Sequence, residues 1–144
     1  MKIGVFIFST EYSIRMVKLA QALEDRGFES LFVPEHTHIP VSRRTPFPGG
    51  EPLPREYSNT LDPFVDLATA AAITNTLRIG TGICLVSQRD PIVTAKAVAS
   101  LDLLSGGRFE FGIGAGWNQD DLESHGTRYE DRFNVMVDRV KAMQ

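Results

Sequence analysis

Residues 78–117 read RIGTGICLVSQRDPIVTAKAVASLDLLSGGRFEFGIGAGW, and this stretch decides the fold. Arg78 to Leu85 is a mixed apolar run of the kind found in strands covered on both faces. Asp90-Pro91 then reads as an N-cap and first helical residue, because the Asp side chain accepts free amides and Pro lacks the N–H that would be orphaned there. The helix so begun runs through Leu104 and stops at Ser105-Gly106-Gly107. Arg108 to Ile113 is the next strand, and Gly114-Ala115-Gly116 a tight turn after it. Strand, helix and strand in this order predict a right-handed crossover and a parallel sheet.

The same unit recurs on both sides. Lys2 to Phe8 is a strand, followed from Ser13 to Arg26 by a helix with Met16, Leu19, Ala20 and Leu23 at helical spacing, closed at Gly27. Ser30 to Val33 is a short strand ending at Pro34-Glu35-His36. Asp62-Pro63 repeats the capping device and starts a helix to about Thr74. Beyond the turn at 114–116, Asn118 to Ser124 reads as a short helix and a longer one starts near Thr127. Between Thr37 and Thr60 lie five prolines and the pair Gly49-Gly50, an irregular rim loop much longer than an ordinary connection. Few large apolar residues are available to bury it, so it is expected to be mobile.

Alternating strands and helices define an α/β fold with two architectures open: a doubly wound sheet, or one wall of a (β/α)₈ barrel, which takes about 250 residues. The 144-residue length favours the first. The last helix favours the second, since Val135, Val137, Val140 and Met143 are still cycling at Gln144 without a stop signal, as in a cut chain.

Composition limits the function classes. A net charge of -3 and scattered Lys and Arg give no cationic field for nucleic acid. No apolar run approaches the roughly 20 residues of a membrane span, and no leader pattern precedes the first strand, so a cytoplasmic protein is expected. The single cysteine, Cys84, excludes an internal disulfide and reads as a buried thiol in a strand.

In parallel α/β proteins ligands bind at the carboxyl ends of strands. Those ends carry Ser9-Thr10, Glu35 to His38, Cys84 to Arg89 and Gly114 to Asn118. Glu35 beside His36 makes a carboxylate–imidazole pair suited to proton transfer, or simply a local cap and a solvated ring. His36-x-His38 with a carboxylate suggests metal, but only His125 and scattered acids remain as further ligands, and no metal site is assigned. Gly112, Gly114 and Gly116 allow close backbone approach to a phosphorylated cofactor, or serve packing alone. The dinucleotide fingerprint fails, because Trp117 stands at its last position and the motif follows the fourth strand. Gly80 and Gly82 inside a strand imply a bulge or a neighbour pressing on the backbone, a planar ring or a packed side chain. Arg89 reads as a solvated loop arginine, with anion binding as the other reading.

These residues carry a resemblance. KIGVFIF, LAQALEDRGFESLFVPEHTHIP, LDPFVDLATAAAITNTLRIGTGICL, the segment RDPIVTAKAVASLDLLSGGRFEFGIGAGW, and EDRFNVMVDRVKAM occur in the order and spacing of the luciferase-like family, particularly its coenzyme F-420-dependent branch. The resemblance implies a (β/α)₈ (TIM) barrel of which this chain supplies the N-terminal half, four βα units. It implies a bulge with a non-prolyl cis peptide at Gly82-Ile83 supporting the cofactor's central ring. Gly114, Ala115, Gly116 and Trp117 would hold the phosphate arm and ribityl chain, with backbone amides serving where Ala115 lacks a hydroxyl. His36 would handle the substrate proton, with Glu35 beside it. The implied activity is hydride transfer between a small organic substrate and deazaflavin coenzyme F-420. The alternatives are an FMN-dependent monooxygenase on the same fold and a non-catalytic remnant or assembly subunit. A half-barrel also implies a homo-oligomer, or a partner supplying the missing half.

Overall fold

The computed structural model describes residues 1–41 and 43–144. The elements run β1 (Gly4–Phe6), α1 (Met16–Asp25), β2 (Ser30–Val33), α2 (Glu56–Asn59), α3 (Pro63–Ala71), β3 (Arg78–Leu85), α4 (Pro91–Ser105), β4 (Phe109–Gly114), α5 (Gln119–Ser124), a 3₁₀ turn (Tyr129–Asp131) and α6 (Arg132–Ala142). Among the described residues the strands form one parallel sheet in the order β1-β2-β3-β4. A doubly wound sheet reverses its strand order at a switch point, whereas this order advances without reversal, as around a barrel.

Local chemistry explains the element starts. Asp62 Oδ1 accepts from the amides of Phe64 and Val65, each at 3.0 Å, and Asp90 Oδ1 accepts from Val93 at 2.9 Å. Gly106, at φ 67°, gives α4 its left-handed stop. Two helices and the first strand are shorter than their patterns: α1 begins at Met16 rather than Ser13, α3 ends at Ala71 rather than Thr74, and β1 covers only Gly4–Phe6. α2, inside the rim loop, has no apolar periodicity to announce it.

One face of the sheet is covered by helices. Leu31, Val33, Ile79 and Cys84 pack there against Met16, Ala20 and Leu23 of α1, Leu67, Ala70 and Ala71 of α3, and Leu101 of α4. Each such large apolar side chain contributes about 1.5–3 kcal/mol by leaving water. Cys84 is fully buried, and burial pushes its thiol well above the usual range, so it is a packing residue. The other face is made of small and aromatic residues. A Cβ on Gly80 would lie 2.4 Å from the Phe32 ring and 2.7 Å from the Glu110 carbonyl, and one on Gly112 would lie 2.2 Å from the Thr81 carbonyl. The neighbour pressing on Gly80 is therefore the protein itself.

The amino ends of the strands are sewn together by polar side chains. Arg108 donates to the carbonyls of Ala71, Thr74, Leu77 and Ser105, and Glu24 accepts from the amides of Asn75, Thr76 and Leu77. These contacts belong to stability. The chemistry-bearing residues lie at the opposite end. Among the described residues no helix is long and apolar enough to cross a membrane.

Candidate functional site

Two clefts open at the carboxyl ends of the strands and share Glu35 and His36. One, of about 370 Å³, is lined by Phe8, His36, Tyr57, Gly82, Ile83 and Trp117 among others. The second, of about 270 Å³, is lined by Glu35, His36, Asp62, Gln88, Arg89 and His125 with their neighbours. Ser9 and Thr10 are buried under the end of the rim loop, where Leu61 N–H donates to the Ser9 carbonyl at 2.9 Å and Thr10 bridges Thr60.

His36 lies just beyond the end of β2 at Val33, after Pro34 and the buried Glu35 that ties this segment to β3. Its ring packs against Tyr57, with centroids 4.8 Å apart, and Nδ1 is buried without a hydrogen-bond partner among the described residues. Burial lowers its pKa from 6.5 to about 4, so the imidazole is neutral at pH 7. A neutral ring with a free nitrogen accepts or relays a proton, where an imidazolium would only donate one.

Glu35 faces away from that chemistry. It is 3% exposed, its Oε2 accepts from the Leu85 amide at 2.6 Å, and its Oε1 is paired with the Arg89 guanidinium. Arg89 also binds Asp62 Oδ2 at 2.7 Å and stacks over Phe64 at 4.9 Å. Arg89 is thus not the solvated loop arginine its sequence setting suggests; it neutralises a buried carboxylate. The Glu35–Leu85 bond ties the end of β2 to the end of β3, beside the irregularity.

That irregularity falls where the pattern placed it. The register of β3 on β4 shifts between Thr81 and Cys84, and the Gly82-Ile83 peptide is cis. Both residues line the larger cleft. The four turn residues divide: Gly116 (φ 82°) and Trp117 line this cleft, while Ala115 is buried with its carbonyl bound by Ser87 Oγ at 2.7 Å. Gly114 packs against Ile83, where a Cβ would lie 1.8 Å from Cδ1, so its need for glycine comes from the bulge.

The pair His36-x-His38 is split. His36 turns to the aromatic cleft, and His38 turns to α5, 3.4 Å from Asp121 Oδ1. The rim loop is anchored on the same helix: Arg44 pairs with Asp120 and Glu123, and Thr45 Oγ1 accepts from Gln119 N–H at 3.0 Å. Tyr57, which touches Phe8, His36, Phe47 and Trp117, escapes a sequence reading because nothing in its proline-rich context marks it. Phe6 and Phe8 could have been found from their period of two on a strand running into the site.

The luciferase-like monooxygenase family model matches residues 1–144, and the chain belongs to that family. An uncharacterized protein of Mycobacterium tuberculosis (strain ATCC 25618 / H37Rv), Rv0953c, is 40% identical over 147 residues, covering 100% of this chain and 52% of that protein. The monooxygenase RslO1 from Streptomyces bottropensis superposes with a TM-score of 0.78 at 26% identity, over 99% of this chain and 42% of its own. The coenzyme F420 dependent tetrahydromethanopterin reductase from Methanopyrus kandleri superposes with a TM-score of 0.64 at 25% identity, over 89% of this chain and 30% of its own. The four parallel βα units are the N-terminal half of the barrel, and the chain spans about half the length of the curated relative it matches.

Proposed function

We propose that this chain forms the cofactor- and proton-handling wall of an oxidoreductase that uses deazaflavin coenzyme F-420 to move a hydride to or from a small organic substrate. The observation that carries the reading is His36: a neutral imidazole with an unpartnered Nδ1, on the cleft that Gly82, Ile83, Gly116 and Trp117 line. The cleft fits a flat ring. Its walls are mainly aromatic, aliphatic and glycine residues, and a Cβ at Gly82 would already touch Phe6 and Phe32 at 3.4 Å. The likeness to a coenzyme F420 dependent reductase is what supports the deazaflavin.

In this reading Gly82 and Ile83 bear the ring, Gly116 and Trp117 face the phosphate arm, and Gly114 and Ala115 hold the turn behind them. When bound, the deazaflavin supplies the carbon that gives or takes the hydride. His36 takes or returns the substrate proton through its imidazole at the cleft, and Tyr57 holds the ring orientation and excludes water. Glu35 positions: by binding the Leu85 amide and Arg89 it fixes the two strand ends between which the substrate lies. The outer edges of β1 and β4 have no strand partner among the described residues. A second copy, or a chain carrying the other βα units, covers them and completes the pocket.

The monooxygenase likeness favours one competing reading, FMN in the same cleft with oxygen as co-substrate. Trp117 is the only tryptophan and reports on the cleft directly. Saturable quenching of its emission by coenzyme F-420 but not by FMN supports the proposal. Quenching by FMN alone replaces it with the monooxygenase reading, and quenching by neither supports a non-catalytic remnant or assembly subunit.

A further inference from the structure

The residues after His36 carry a second site, independent of the redox reading. His38 leaves the rim loop towards α5, where Asp121 and His125 lie four positions apart on one helical face. Ligand atoms of the three side chains all lie within 4.8 Å of one another. His38 Nδ1 is 3.4 Å and His125 Nε2 3.8 Å from Asp121 Oδ1. The Asp121 side chain is 2% exposed, and both its Oδ1 and His125 Nε2 are buried with no hydrogen-bond partner among the described residues.

The surrounding hydrogen bonds determine what these atoms can offer. Ser124 Oγ gives its one hydrogen to the Asp121 carbonyl at 2.7 Å, so at 3.0 Å from His38 Nε2 it can only accept. In the neutral ring His38 therefore carries its proton on Nε2, which leaves Nδ1, the nitrogen facing the carboxylate, open as a ligand. Asp121 Oδ2 accepts from Gln88 Nε2 at 3.0 Å, which orients the carboxylate and leaves Oδ1 free. The three ligand atoms converge, and the 3.4 and 3.8 Å separations exceed a hydrogen bond. Those two separations are close to the edge of a tetrahedron, roughly 3.4 Å for metal–ligand bonds of about 2.0–2.1 Å, and the third pair lies within 4.8 Å.

We propose that His38, Asp121 and His125 bind one divalent transition-metal ion, Zn²⁺ in preference to Mg²⁺ or Ca²⁺, with water in the fourth position. Two imidazoles and one carboxylate suit zinc, whereas the hard cations take oxygen ligands. Ser124 and Gln88 are the outer partners that hold His38 and Asp121 in place. The ion clamps the rim loop to α5.

The test is calorimetric titration of tag-free, EDTA-dialysed protein with ZnCl₂, with Co²⁺ absorption reporting geometry. The expected result is one equivalent per chain with tetrahedral Co²⁺ bands. Asp121→Asn and His125→Ala abolish uptake, Gln88→Ala weakens it about 10–100-fold, and His36→Ala leaves it unchanged. Circular dichroism establishes that each variant is folded, and His38→Gln serves as the ligand variant if an α5 substitution is not. Absence of saturable uptake, or uptake unchanged in folded ligand variants, overturns the site. Uptake abolished by His36→Ala overturns the ligand set.

Discussion

His36 and His38 are two residues apart and occupy opposite kinds of environment. The first sits among Phe8, Tyr57 and Trp117, where an apolar wall removes its charge. The second faces a buried carboxylate and a second imidazole, where polar atoms converge. Side chains two apart on an extended chain would face the same way, but the chain bends at Thr37, so that His36 faces the aromatic cleft and His38 the helix that follows β4. The same residue type is thereby prepared for two tasks, proton handling in one place and ligation in the other.

The comparison breaks most readily at His36. In the complete, cofactor-loaded assembly His36→Ala is expected to lower turnover by about 10²–10⁴-fold, with cofactor affinity nearly unchanged. Steady-state rates and a separate binding titration check this, and loss of cofactor binding with intact chemistry would move His36 to a binding role. Next in size is Arg89→Met, which strands the buried Glu35 carboxylate and is expected to cost about 3–5 kcal/mol in denaturant unfolding. Full stability in that variant would show that Glu35 does not depend on its partner.

The pH dependence sharpens the contrast. His36 titrates near 4 in the folded chain and 6.5 in its unperturbed state, so the unfolded chain binds more protons between these values. Its neutral form contributes stability that is present above pH 6.5 and lost as pH falls towards about 4. Melting temperatures should drop on acidification through this window, and drop less in His36→Gln. The smallest effect belongs to Arg44→Ala. Its ion pairs are exposed, so global stability should scarcely move, while amide exchange in residues 43–60 accelerates because the loop loses an anchor on α5. Exchange as fast in the parent protein as in the variant would show that this pair does not restrain the loop.

The patterns that read correctly are those whose cause is local. Arg78–Leu85 is the predicted third strand, and both Asp-Pro pairs cap helices through bonds made within three residues. Gly80 and Gly82 marked β3 for a bulge or a pressing neighbour, and the family resemblance placed the bulge at Gly82-Ile83, where the register shift lies. β1 was overestimated because it pairs on one side only, so the ends of its apolar run have no ladder to hold them. The rim loop reads as mobile from its prolines, yet its anchors on α5 come from residues more than 70 positions away.

By itself, then, the sequence determined the parallel βα alternation, the capped helix starts and the strand ends at which chemistry could lie, since these follow from short-range periodicity and backbone stereochemistry, while the order of its motifs carried the family resemblance. Only the tertiary structure decided how those residues are used. It gave Glu35 to Arg89 rather than to His36, turned Gly114 into a packing position for Ile83, and brought His38 to Asp121 and His125. Burial and pairing set the charge of an imidazole or carboxylate, and both are fixed by segments distant in the chain.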